Sequence, residues 1–203
     1  MHNGHVEIIQ YVKQVYGLDK IFFIPSATPP HKSDINLARA DDRFEMVKQS
    51  LKNHDNFFVS DKELIRKGPS FTIDTINEFK KDYGADTHFS LLMGSDAFLD
   101  ITTWKHKDQI FEAIQIIIML RGHWENYNPI ISFIDENISK SYMFNERDNT
   151  FSHKQKQKII ICKVPKINIS STMIRERVKH NESIKDLVPA SIEKIIRTKE
   201  LYK

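Results

Sequence analysis

The stretch IQIIIMLRG, residues 114–122, decides the fold. Ile116 through Leu120 run apolar without a break, and Arg121 and Gly122 end the run. A strand with one face in water alternates apolar and polar residues; a short unbroken run describes a strand covered on both faces. Strands of that kind belong to parallel sheets, whose crossover connections are usually helices. IFFIP (21–25), NFFVS (56–60), HFSLLMG (88–94) and KIIICKVP (158–165) read as further strands. Ile8, Ile9, Val12 and Val15 give helical spacing over 5–16, with Gly17 as the stop. Residues 41–53 place Phe44, Val47 and Leu51 on one face. FTIDTINEFKKDYG (71–84) places Ile73, Ile76, Phe79 and Tyr83 inward, and Gly84 suits its end. Two helices close the chain, near 171–180 and 189–197. Strands alternating with helices predict an α/β fold: a doubly wound, mainly parallel sheet with two short C-terminal helices. One domain is expected over 1–203. Residues 123–157 are polar and charge-rich and break the rhythm, so an irregular insertion is expected there.

Composition narrows the function classes. Hydrophobic residues make up 40% of 203, enough for a core. The Ile116–Leu120 run is far too short to span a bilayer, so no membrane association is expected. Cys162 is the only cysteine, which excludes an internal disulfide and a multi-cysteine zinc site. A cytoplasmic setting follows as the default expectation. The formal charge of +3 is too small an excess for a nucleic-acid binder, yet it suits small phosphorylated ligands.

Doubly wound sheets bind ligands beyond the carboxyl ends of their strands. SATPPHKS (26–33), GSD (94–96) and Arg121 all follow predicted strands. HNGH (2–5) opens a predicted helix. Two imidazoles beside the free N–H groups of a helix start, with a glycine permitting close approach, make a phosphate site. A chance pair of histidines is the alternative. In INISSTMIRERV (167–178), Ser170, Ser171 and Thr172 stand between a strand and a helix, and Arg175 lies one turn in. Hydroxyls, helix amides and a guanidinium suit phosphate oxygens. An ordinary serine cap with a solvated arginine is the alternative.

Together, HNGH and ISSTMIR resemble the paired motifs of the nucleotidylyltransferase superfamily, which carries them on a Rossmann-like sheet. PPHK (29–32), RFEM (43–46), RKGPSFTIDTI (66–76), MGSDAFLDITTW (93–104), MLRG (119–122) and LVPASIEKIIRTKELY (187–202) resemble the bacterial nicotinate-nucleotide adenylyltransferases, in order along the chain. The resemblance implies transfer of AMP from ATP to nicotinate mononucleotide, giving deamido-NAD and pyrophosphate. ATP and the mononucleotide are the implied partners, with Mg2+ accompanying ATP and no metal held by the protein alone. A homo-oligomer is left open. Another phosphate acceptor, nicotinamide mononucleotide included, and an inactive nucleotide-binding remnant are the rival functions.

By motif match, His2, His5 and Arg175 are the catalytic residues, and Ser170, Ser171 and Thr172 grip the ATP phosphates. Gly94 and Asp96 would receive the adenosine, with a helix cap as the alternative for Asp96. Trp104 would stack on the pyridine ring, or be a core residue only. Thr72 would meet the nicotinate carboxylate, or only cap its helix. His31 and Lys32 would close over the mononucleotide phosphate, or lie on a solvated loop, and Arg121 would contact phosphate, or simply end its strand. Trp124 and Cys162 read as structural or surface residues. Family members precede the H-x-G-H motif with a strand and a GGxFDP turn. Met1 is therefore expected to be an internal methionine, with further in-frame codons upstream and poor activity without them.

Overall fold

The computed structural model describes residues 1–28, 37–121 and 127–203. In chain order the elements are α1 (Asn3–Val15), β1 (Ile21–Phe23), α2 (Ala40–Leu51), β2 (Phe57–Val59), α3 (Lys62–Ile65), α4 (Thr72–Tyr83), β3 (Ser90–Gly94) and α5 (Ser95–Leu99). A 3-10 turn (Ile101–Thr103) leads to α6 (Lys107–Ala113), β4 (Gln115–Leu120), α7 (Asn128–Asn137), β5 (Met143–Asn145), β6 (Thr150–Ser152), β7 (Ile159–Lys163), α8 (Ser171–Lys179) and α9 (Ala190–Thr198). They form two compact units. One contains Met1–Ser70 and Ile167–Lys203; the other contains Phe71–Lys166.

The second unit is built around Ile116–Leu120. β4 pairs in parallel with β3 on one side and β7 on the other, with Ile118 opposite both Met93 and Ile161. Ile116, Ile117 and Ile118 are fully buried, as a strand covered on both faces requires. Ile73 and Ile76 of α4, Phe98 of α5, Ile110 and Phe111 of α6, and Ile130 and Ile134 of α7 pack into the same core. Each such side chain contributes about 1.5–3 kcal/mol by leaving water. α4 stops at Gly84, whose φ of +77° needs a residue without a Cβ.

Residues 127–152 hold α7 and the β5–β6 hairpin, where an irregular stretch was expected. Pro129 stands in the first turn of α7, where its missing N–H costs nothing. The hairpin adds to the sheet antiparallel, through β6 on β7. Its strands are three residues each, too short for their alternation to stand out from the charges around them.

In the first unit, β1 and β2 form a parallel pair, with Ile21 opposite Phe57 and Phe23 opposite Val59. α1 ends as its sequence predicts. Gly17 takes φ +59°, and the Leu18 amide donates to the Lys13 carbonyl at 3.0 Å. Met46 of α2, Ile174 of α8, Ile184, Val188, and Ile192 and Ile196 of α9 make a core cluster in this unit. α8 and α9 are the two C-terminal helices expected. Among the described residues, no helix is long and apolar enough to cross a membrane.

Candidate active site

The start of α1 is built by HNGH. His2 is the N-cap residue and is buried. The His2 and His5 rings stack with centroids 3.6 Å apart, and the His2 amide reaches His5 Nδ1 at 3.5 Å. The His5 amide donates to the His2 carbonyl at 3.0 Å, which closes the first turn. Asn3 anchors this end: its amide donates to the Leu187 carbonyl at 3.0 Å and its side chain to the Asp186 carbonyl at 2.9 Å. Gly4 is required by packing. A Cβ there would stand 2.8 Å from Ile167 Cγ2 and 3.2 Å from His2 Nδ1.

Ile167 lies two residues ahead of ISSTMIR. Ser170 caps α8, its Oγ accepting from the Met173 amide at 3.1 Å. Ser171 and Thr172 are exposed beside it, and Arg175, half-buried, donates to Thr172 Oγ1 at 3.2 Å. The close approach of Gly4 to Ile167 thus sets the start of α1 beside the segment that leads into α8, within one unit. Each helix start carries groups of a kind suited to phosphate oxygens: two imidazoles at α1, and three hydroxyls and a guanidinium at α8.

In the same unit, the chain beyond β1 is pinned at Ala27. Its amide donates to Ser70 Oγ at 3.0 Å, and its carbonyl accepts from Arg43 at 3.1 Å. The Arg43 Nε also donates to the Ala38 carbonyl. Arg43 went unassigned in the sequence. The signal was there: a cation close to a helix start, where the dipole disfavours it, needs another reason to be present. His31, Lys32 and Trp124 lie outside the described residues.

The second unit holds the other candidates. Gly94 ends β3 and caps α5, while Asp96 is exposed within that helix and is not its cap. The exposed Asp96 carboxylate folds over Gly94, so a side chain there would require the carboxylate to turn aside. The glycine and the carboxylate are therefore one feature. Thr72 is the first residue of α4, and Phe71 is the cap. Trp104 is half-buried against the core, its amide donating to the Ile101 carbonyl. Next to it, Lys105 stands 3.2 Å from Asp74 and 4.5 Å above the Phe71 ring, a pairing with no trace in sequence spacing. Arg121 is exposed just past β4. Among the described residues, no three His, Cys, Asp or Glu side chains gather as a metal site would require.

Residues 1–177 match the family described as cytidylyltransferase-like. The "Probable nicotinate-nucleotide adenylyltransferase" of Clostridium tetani is 34% identical over 203 residues, covering all of this chain and 94% of that protein. The one from Moorella thermoacetica is 32% identical, covering all of this chain and 87% of that protein. Among solved structures, the Plasmodium falciparum nicotinic acid mononucleotide adenylyltransferase complexed with NaAD superposes with a TM-score of 0.72 at 17% identity, covering 100% of this chain and 91% of that one. That likeness speaks to the fold, a Rossmann-like, mainly parallel sheet flanked by helices.

Proposed function

The chain belongs to the cytidylyltransferase-like family and, within it, to the nicotinate-nucleotide adenylyltransferases, and we propose that it transfers AMP from ATP to nicotinate mononucleotide, giving deamido-NAD and pyrophosphate. The observation that supports this reading most is the close approach of Gly4, in the first motif, to Ile167, in the segment that leads into the second.

An oxygen of the mononucleotide phosphate attacks the α-phosphorus of ATP. The new P–O bond forms as the bond from that phosphorus to the bridging β-oxygen breaks, and the electron pair leaves with pyrophosphate. No covalent enzyme intermediate is required, so positioning and charge stabilisation do the catalysis. ATP enters as its magnesium complex. His2 and His5 donate to the phosphate oxygens as charge builds on them. Ser170, Ser171, Thr172 and Arg175 hold the β- and γ-phosphates. Asp96, seated over Gly94, receives the ribose hydroxyls. Thr72 and Trp104 receive the nicotinate, one at its carboxylate and one on its ring face. His31, Lys32 and Arg121 contact the mononucleotide phosphate.

Protein expressed from its own gene is expected to release pyrophosphate from magnesium-ATP and nicotinate mononucleotide, with a higher kcat/KM than with the amide. No pyrophosphate with either acceptor removes the proposed activity; preference for the amide changes the acceptor. In Trp104→Ala, loss of ring stacking is expected to weaken the mononucleotide by about 1 kcal/mol or more, roughly fivefold in KM. The KM for ATP should hold. Equal losses for both substrates would make Trp104 a packing residue alone.

A further inference from the structure

Asn3 stands inside HNGH, between His2 and Gly4, at the position the H-x-G-H motif leaves open. Asparagine forms helix poorly, yet it is the first residue of α1. What it supplies is a double tie. Its amide, one of the orphan donors of a helix start, donates to the Leu187 carbonyl at 3.0 Å. Its side-chain Nδ2 donates to the Asp186 carbonyl at 2.9 Å, 183 residues away in the chain. One residue thus holds two successive carbonyls of the connection between α8 and α9.

That connection is shaped to present them. The Leu187 amide donates to the Ile184 carbonyl at 3.2 Å, closing a turn over residues 184–187, and Asp186 takes φ +64° within it. This left-handed backbone suits glycine; aspartate tolerates it at a cost, and it persists where the surroundings over-determine it. Here they do. Ile184 and Val188, on either side, are buried in the cluster of Met46, Ile174, Ile192 and Ile196. Ile174 belongs to α8, the helix that the second motif opens. The turn is fastened to that cluster, and Asn3 is fastened to the turn. His2, the residue before Asn3, is buried with its ring stacked on that of His5. A shift of Asn3 therefore carries both rings with it.

We propose that Asn3 is a positioning residue for the His2–His5 pair: its two hydrogen bonds to the turn at 184–187 fix where the imidazoles stand, and that turn supports the phosphate site. The inference rests on the reading of His2 and His5 as donors to the ATP phosphates.

The test uses three variants. Asn3→Ala removes the side-chain donor. Asp186→Pro holds φ at about −65° and turns the carbonyl away, whereas Asp186→Gly keeps the backbone shape. Turnover and both KM values are measured, and the ring-proton NMR signals of His2 and His5 are followed in the same proteins. Asn3→Ala and Asp186→Pro should each lower kcat about tenfold, leave both KM values unchanged and move the two histidine signals. Asp186→Gly should match wild type in all of these. Asn3→Ala combined with Asp186→Pro should lose no more than Asp186→Pro alone, because the same hydrogen bond is removed twice. Should Asp186→Pro fail to fold, Asn3→Ala decides by itself. Alanine is the better helix former, so a residue that merely opened α1 would leave kcat in place when replaced. Wild-type kcat with unmoved histidine signals in Asn3→Ala overturns the proposal and leaves the reaction standing. Losses that add in the double variant overturn it as well. Histidine signals that move in the expected pattern in a protein without turnover sustain the role of Asn3 and remove the proposed reaction.

Discussion

Turnover in His5→Ala is expected to fall by about 100-fold or more, the scale of losing one key donor to the transition state. The fold should survive the change. His5 is the third residue of α1 and half-buried, and alanine is the best helix former available to replace it. What disappears is the stacked partner of His2 and the Nδ1 that the His2 amide reaches at 3.5 Å. Removal of a contact made only in the transition state lowers kcat and kcat/KM together and leaves KM in place. The check is a steady-state comparison with circular dichroism and thermal unfolding on the same preparations. A rate near wild type would reduce HNGH to a helix start without chemistry.

The sequence announced some of these features because they are written in local physics. The run at Ile116–Leu120 could only be a strand covered on both faces, and it is the central member of β3–β4–β7. Gly17 and Gly84 marked helix ends because the left-handed backbone at those points suits glycine. Ser170, Ser171 and Thr172 marked a helix start because hydroxyls cap orphan amides, and Ser170 does so. Other features have no local signature. α5 and α6, at five and seven residues, are too short to show a helical period. The separate pairing of β1 with β2 could not be read either, since an apolar run marks a strand but not its neighbour.

The site divides the same way. Motif spacing identified the residues at the starts of α1 and α8, because each motif is itself a local structure. It could not show that Gly4 is fixed by Ile167, or that the Asp96 carboxylate folds over Gly94. Glycine in a phosphate motif invites the explanation that a ligand comes close. In both places the structure offers a protein atom that already does. The pinning of Ala27 by Arg43, and the tie of Asn3 to Asp186, join residues far apart in the chain, where only the fold makes them neighbours.

Gly4→Ala is where these arguments meet, because two effects of opposite sign compete. In an isolated helix the change would be favourable, by up to about 1 kcal/mol, since alanine loses less backbone freedom than glycine. In this protein the new methyl would stand 2.8 Å from Ile167 Cγ2, closer than carbon atoms settle, with His2 Nδ1 at 3.2 Å on another side. Overpacking of this kind costs about 1–3 kcal/mol, so the clash outweighs the helix gain. Relief requires the start of α1 to move away from the segment that enters α8. That movement undoes the close approach of Gly4 to Ile167 that supports the proposed reaction. A displacement of about 1 Å at a catalytic constellation can cost on the order of 100-fold in rate, and a loss of that size is expected. The remedy should be specific. Ile167→Ala removes the obstructing Cγ2, so Gly4→Ala combined with Ile167→Ala should recover much of the turnover that Gly4→Ala loses. Two independent injuries would instead add. Steady-state rates of the three variants decide between these outcomes. A Gly4→Ala protein that is more stable and fully active would show that the helix start and the α8 segment need not touch for the reaction to run.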